Sequence, residues 1–132
     1  MASVFTKIVR GEIPAYKIAE DDDFLAFLDI NPQVPGHTLV IPKVEIDRIW
    51  DLPDDLLARV MPFAKRIALA LEKAFQCERC AMSVIGLDVP HAHVHLLPIQ
   101  KAGDVNPSTP RRAWSESEFK DAQDRIKAAL EG

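Results

Sequence analysis

No stretch of this chain approaches the roughly 20 consecutive apolar residues of a membrane-spanning helix, and the opening Met1-Ala2-Ser3-Val4-Phe5-Thr6-Lys7 lacks the long apolar segment of a secretory leader. Two cysteines, Cys77 and Cys80, are too few for a disulfide framework. Basic clusters are missing as well. With 16 basic side chains against 20 acidic ones and a net charge of -4, the chain offers no electrostatic track for a nucleic acid polymer. Small phosphate-bearing ligands remain compatible with that balance. These absences predict a soluble cytoplasmic protein with neither a membrane nor a nucleic acid polymer as partner. A length of 132 residues predicts one domain over 1–132, large enough to bury a core without disulfide or metal.

Turn residues and apolar runs outline an α+β fold of about five antiparallel strands with one long and one short helix. Strands are expected at Tyr16 to Ala19, Phe24 to Ile30 and His37 to Pro42, the last two joined by the turn Asn31-Pro32-Gln33-Val34-Pro35-Gly36. Leu56, Val60, Ala64, Ile67, Leu71 and Phe75 recur at helical spacing and predict a helix from about Asp54 to Phe75, with Asp51 and Asp54 placed to cap its start. Pro62 predicts a kink near Ala58 or a later start. Met82 to Ile85 and His91 to Leu97 read as a strand pair joined by Gly86 to Pro90. Residues 98–114 show no period and read as an irregular segment, and the capping box Ser115-Glu116-Ser117-Glu118 opens a terminal helix over 115–131.

Three of the four histidines alternate in one run, His91-Ala92-His93-Val94-His95. On a strand they share one face, with Ala92, Val94 and Leu96 on the other, so the run reads as apolar inside and imidazole outside. Three uses fit such a row. Alternate Cα atoms lie about 6.6 Å apart and the outer pair about 13 Å, so two neighbouring rings can hold one zinc ion but three cannot without another ligand such as His37, Asp88 or Glu45. Alternatively the rings divide the work. His93 is then the nucleophile, flanked by rings that donate hydrogen bonds or carry charge toward a tetrahedral or phosphoryl transition state. The third use is a ladder of structurally satisfied histidines.

The run His91-Ala92-His93-Val94-His95-Leu96-Leu97 resembles the histidine triad signature, His-φ-His-φ-His-φ-φ with φ apolar, of the HIT superfamily. Phe5 to Ala15, Phe27 to Pro32 and Pro35 to Lys43 resemble segments of the same family in the same order, closest to its Hint branch of small nucleotide-binding hydrolases. The resemblance implies a homodimer whose sheets join, and attack on the α-phosphate of a purine nucleotide without metal or other cofactor. It makes His93 the nucleophile, His95 and His91 its orienting and charge-stabilising partners, and His37 their support. Asp29 becomes the acceptor of the ribose hydroxyls, with Phe5, Ile8, Phe27 and Ile30 as walls around the base. From the residues alone, Asp29 also fits a turn cap and the apolar residues fit core packing. The implied activity is that of a purine nucleoside phosphoramidase. Dinucleoside polyphosphate hydrolysis, nucleotidyl transfer and non-catalytic binding of AMP are the alternatives.

Three departures from the family pattern matter. Gly86-Leu87-Asp88 stands where many relatives carry Gly-Gln followed by a Ser, Thr or acidic residue, so the usual amide contacts have no clear match, and Asp88 becomes a candidate to bind, or receive a proton from, a cationic amine leaving group. Ser3, Thr6 and Glu45 occupy positions that bind structural zinc in some bacterial relatives, which predicts no zinc there. Finally, Cys77-Glu78-Arg79-Cys80 has metal or redox spacing but reads as two thiols near a helix end. In the C-terminal part, Arg111, Arg112 and Trp114 either reach a partner subunit's site or form a solvated basic pair beside a packed tryptophan.

Overall fold

The computed structural model describes residues 2–108 and 110–132. Five strands form one antiparallel sheet in the order β1-β2-β3-β5-β4, with β1 Lys17–Glu20, β2 Phe24–Leu28, β3 Thr38–Pro42, β4 Arg79–Ser83 and β5 Val94–Ile99. Helix α2, Asp54–Ala74, and helix α3, Glu116–Glu131, cover one face. On that face Phe24, Ala26, Val40, Val94 and Leu96 meet Phe63, Ile67 and Leu71 of α2 and Phe119 and Ile126 of α3. Leu25, Phe27, Leu39 and Ile41 point the other way, against Phe5 and Ile8. Both faces of β2 and β3 are therefore dry, which is why β2 reads as an unbroken Phe-Leu-Ala-Phe-Leu instead of an alternating pattern.

The second face is closed by an element that the hydrophobic pattern did not signal, helix α1 at Val4–Val9. Ser3 starts it, its hydroxyl accepting the Thr6 N–H at 3.0 Å. Six residues are too few to show a period, so this helix rests on its cap and on burying Phe5 and Ile8. The fold thus has three helices, one more than expected.

Helix α2 begins at Asp54 and runs unbroken past Pro62. Neither Asp51 nor Asp54 caps it. Pro53 occupies the cap position without a side-chain bond, while Asp51 ends a single 3-10 turn, Ile49–Asp51. Asp54 and Asp55 in the first turn still place negative charge at the positive end of the helix. Ser115 and Glu118 form the reciprocal capping box of α3 as expected.

The limits of β4 and β5 move most, and β4 already starts at Arg79, ahead of the expected Met82. β4 ends at Ser83, so Val84 and Ile85 lie in the connection, and β5 begins at Val94, leaving His91 and His93 off the strand. The reason is a competing set of partners: His91 N–H bonds to Val89 O, and Ala92 N–H bonds to Ile46 O at 2.7 Å, outside the β4 ladder. At the other end β5 continues through Pro98 to Ile99, past Leu96, which pairs with Thr38 at the end of the β3 ladder. A residue without an N–H is tolerated once the ladder is one-sided. The segment 98–114 is therefore part strand and, at Ala102–Val105, part 3-10 helix.

Candidate active site

Antiparallel register brings three side chains to one end of the sheet. Asp29 follows β2, His37 precedes β3, and Asp29 N–H bonds to His37 O at 3.0 Å, while Leu39 of β3 pairs with His95 of β5. A cleft of about 310 Å³ opens there between α1 and the sheet. Phe5, Ile8, Phe27 and Ile30 line it together with Asp29, Asp88, His93 and His95. Val4, Ile13, Ala15, Leu39 and Val89 add further apolar wall, and only the tertiary fold reveals them. His37 and His91 stand behind the cleft, 1 % and 0 % exposed.

The expectation of imidazoles outside and apolar residues inside is corrected by this burial. His93 is only 4 % exposed and His95 is half-buried, because α1 and the 84–93 connection cover the face that an isolated hairpin would have left wet. Each buried ring nitrogen therefore needs a partner, and the partners determine the tautomers. The backbone N–H of Gln33 can only donate, so His37 Nδ1 accepts it at 3.1 Å, and the proton of a neutral His37 sits on Nε2. From there it is donated to His95 Nδ1 at 3.0 Å. The remaining proton of a neutral His95 is then on Nε2. His91 Nε2 donates to Pro42 O at 2.8 Å, and His91 Nδ1 accepts the Ser3 hydroxyl at 2.8 Å.

His93 is oriented by the main chain, not by its neighbouring rings. Its Nδ1–H donates to the carbonyl oxygen of His91 at 2.8 Å, which leaves the Nε2 lone pair without a protein partner among the described residues. Phe5 packs edge-on against this ring, with centroids 5.1 Å apart, and the His95 ring lies 5.0 Å away. A free lone pair beside an N–H donor is the arrangement that nucleophilic attack on a polar centre needs.

Burial, above all, pushes His37 down to about 3 and His95 down to about 4, with neighbouring cationic charge adding to the effect. His91 is also lowered, again chiefly by burial. All three are neutral at physiological pH, so the 3.6 Å approach of His37 Nε2 to Asp29 Oδ2 is a polar contact and not an ion pair. Asp29 is raised, mainly by burial, although its Oδ1 accepts the Asn31 N–H at 2.8 Å. Its second oxygen faces the relay.

Two metal arrangements can be tested on this geometry. Asp29, His37 and His95 each place one ligand atom within 4.8 Å of the others. A metal on His37 Nε2 would shift that ring's proton to Nδ1, opposite the Gln33 N–H, setting two donors face to face. Ser3, Thr6, Glu45 and His91 form the second cluster. Glu45 Oε1 accepts the Ser3 N–H at 2.6 Å and the Thr6 hydroxyl at 2.7 Å, bonds that hold the carboxyl down to about 2. Two neutral hydroxyls and a carboxylate whose Oε1 already accepts two hydrogen bonds do not fit the thiolate and imidazole chemistry of a structural zinc site. The cluster is completed by hydrogen bonds instead, and it ties α1 to the triad.

Elsewhere, burial raises the Cys77 thiol and pushes Cys80 up to about 12, so neither is activated as a thiolate nucleophile. Arg112 stacks on Trp114 and pairs with Glu118 at 2.8 Å, away from the cleft, whereas Arg111 lines the cleft of its own chain. The sequence placed both against a partner's site or in solvent. Gly36 ends the turn that carries Gln33, with φ +86, and a Cβ there would meet the Phe75 ring at 2.8 Å. Glycine is required on both counts.

A model of the HIT domain matches residues 10–102. The adenosine 5'-monophosphoramidase HNT1 of Saccharomyces cerevisiae is 39% identical over 98 residues, which span 74% of this chain and 62% of the yeast protein. An uncharacterized HIT-like protein of Methanocaldococcus jannaschii is 40% identical over 99 residues, 72% of this chain and 77% of that protein. Among solved structures, a Hit-like protein from Bartonella henselae superimposes with a TM-score of 0.85 at 32% identity, covering 96% of this chain and 95% of the other. A Zn-bound histidine triad family protein from Mycobacterium smegmatis gives 0.84 at 31% identity, covering 99% and 94%.

Proposed function

Since the chain belongs to the HIT domain family, we propose that it is a nucleotide hydrolase of the purine nucleoside phosphoramidase type, working through a nucleotidyl-histidine intermediate without metal. The yeast relative carries the name adenosine 5'-monophosphoramidase, and its similarity supports the substrate class. The single observation that carries the reading is the His93 ring, with Nδ1–H held by the His91 carbonyl and Nε2 free beside His95.

In the first step the Nε2 lone pair forms a bond to the α-phosphorus as the phosphorus–nitrogen bond to the leaving amine breaks. Asp88, on the cleft wall, is placed to bind the protonated amine or take up its proton as it leaves. His95 Nε2–H, set by the His37 relay, donates to a phosphoryl oxygen. Water then adds to phosphorus, the bond to His93 breaks, and AMP leaves. Asp29 Oδ2 takes the ribose hydroxyls while Phe5, Ile8, Phe27 and Ile30 hold the base, an apolar slot that suits a flat purine.

The reading takes residues 1–132 as one cytoplasmic domain acting as a homodimer. β4 supports the dimer: it is an edge strand, and Met82, Val84, Ile85 and Leu87 on it and just beyond it are 47%, 41%, 49% and 88% exposed. Among the described residues no helix is long and apolar enough to cross a membrane.

The decisive experiment is a rapid-mix assay with a fluorogenic AMP amide, combined with trapping of labelled AMP on the protein. A burst and label on His93 are expected, and His93→Ala should lose both. Tight AMP binding with no burst and no label would make the protein a nucleotide-binding regulator and overturn the hydrolase reading.

A further inference from the structure

The cleft has an unbalanced charge. Two carboxylates, Asp29 and Asp88, line it against one cation, Arg111. His37 and His95 add no positive charge at neutral pH, since burial holds both far below their ordinary range. The 84–93 connection presents Asp88, Val89 and His93 to the cleft, and none of its lining residues is a lysine or arginine. A nucleotide phosphate entering such a site would meet net negative charge without Arg111.

Arg111 is held in place by two hydrogen bonds that dock its segment on the turn after β2. Its Nη1 donates to Asn31 O at 2.6 Å, and Gln33 Nε2 donates to Asn106 O at 2.6 Å. Asn31 is also the residue whose N–H holds Asp29, so the guanidinium is anchored two residues from the candidate ribose carboxylate. Unlike Arg112, which pairs with Glu118, Arg111 makes no ion pair among the described residues. It keeps N–H groups free for an anion, and a guanidinium presents them in the fork that matches phosphate oxygens. It lines the same cleft as Asp29, His93 and His95.

We propose that Arg111, delivered by the segment after β5, is the residue that binds the nucleotide's phosphate and supplies the cationic side chain of the cleft wall. The proposal rests on the nucleotide reading above but not on turnover. It makes affinity for the anionic part of the ligand a property of the C-terminal segment, separate from the apolar slot that takes the base.

Calorimetric titration of the full chain with AMP and with adenosine separates the two contributions. Arg111→Gln should weaken AMP at least tenfold more than it weakens adenosine, Arg111→Lys should recover part of that loss, and Arg112→Gln should change neither. The AMP affinity of the unmodified protein should fall as salt is raised, and more steeply than that of Arg111→Gln. Equal losses for AMP and adenosine, or an unchanged AMP affinity, would overturn the assignment of Arg111. AMP binding that depends on Arg111 in a protein showing no histidine label would instead sink the hydrolase reading and leave this one standing. Failure of the unmodified protein to bind AMP would sink both.

Discussion

Acid should destabilise this protein well before its carboxylates titrate, and His37 is the reason. In the unfolded chain a histidine takes up a proton near pH 6.5. In the fold, burial keeps His37 neutral down to about 3. Between those values the unfolded state binds more protons than the native one, so stability is fully present above about pH 6.5 and declines as pH falls toward 3. At pH 5 the loss from this one residue is on the order of 2 kcal/mol, a sizeable share of a typical domain stability of about 5–15 kcal/mol. His95 and His91 are shifted in the same direction and steepen the decline. Asp29, raised by burial, opposes it at the acid end. The measurement is urea unfolding followed by circular dichroism at 222 nm, at pH 7 and pH 5, at constant salt and protein concentration. His37→Asn should start less stable at pH 7 yet lose about 2 kcal/mol less than the unmodified protein on acidification. Equal losses in the two proteins, or no loss in the unmodified one, would refute the argument that a buried neutral ring anchors the relay.

Two further outcomes bear on the chemistry. Asp88→Ala should lower kcat for amine-bearing substrates by about 100-fold, the low end for a lost acid–base group, with KM little changed; an unaltered kcat in steady-state assays would remove Asp88 from the mechanism. Elemental analysis of the purified protein should find no stoichiometric zinc, and a full equivalent would contradict the hydrogen-bonded account of Ser3, Thr6, Glu45 and His91.

Much of this was legible from local signals. The alternating histidines, the Asn31 to Gly36 turn between two apolar strands, the periodicity of α2 and the Ser115 capping box each carry their meaning within one continuous stretch of chain. What escaped depends on contacts distant in sequence. Helix α1 was invisible because six residues have no period and its stabilising partners, Glu45 and His91, lie 39 or more residues away. The triad's burial was misread because a strand pattern cannot show that a helix from the other end of the chain lies over its polar face. Arg111 in its own chain's cleft is hidden for the same reason, since its docking partners, the Asn31 carbonyl and the Gln33 side chain, lie 80 and 73 residues from the groups they bind. Even the unbroken run of α2 past Pro62 reflects packing overriding a local breaker.

Gly36 links parts of the molecule that a map of the cleft alone would keep apart. Its missing side chain lets the Phe75 ring, just past the end of α2, press against the turn whose Gln33 amide sets the His37 tautomer. Random mutagenesis scored by activity should therefore mark Gly36 and Phe75 as intolerant sites, though neither lines the cleft. Directed evolution aimed at new substrates would do well to hold both constant.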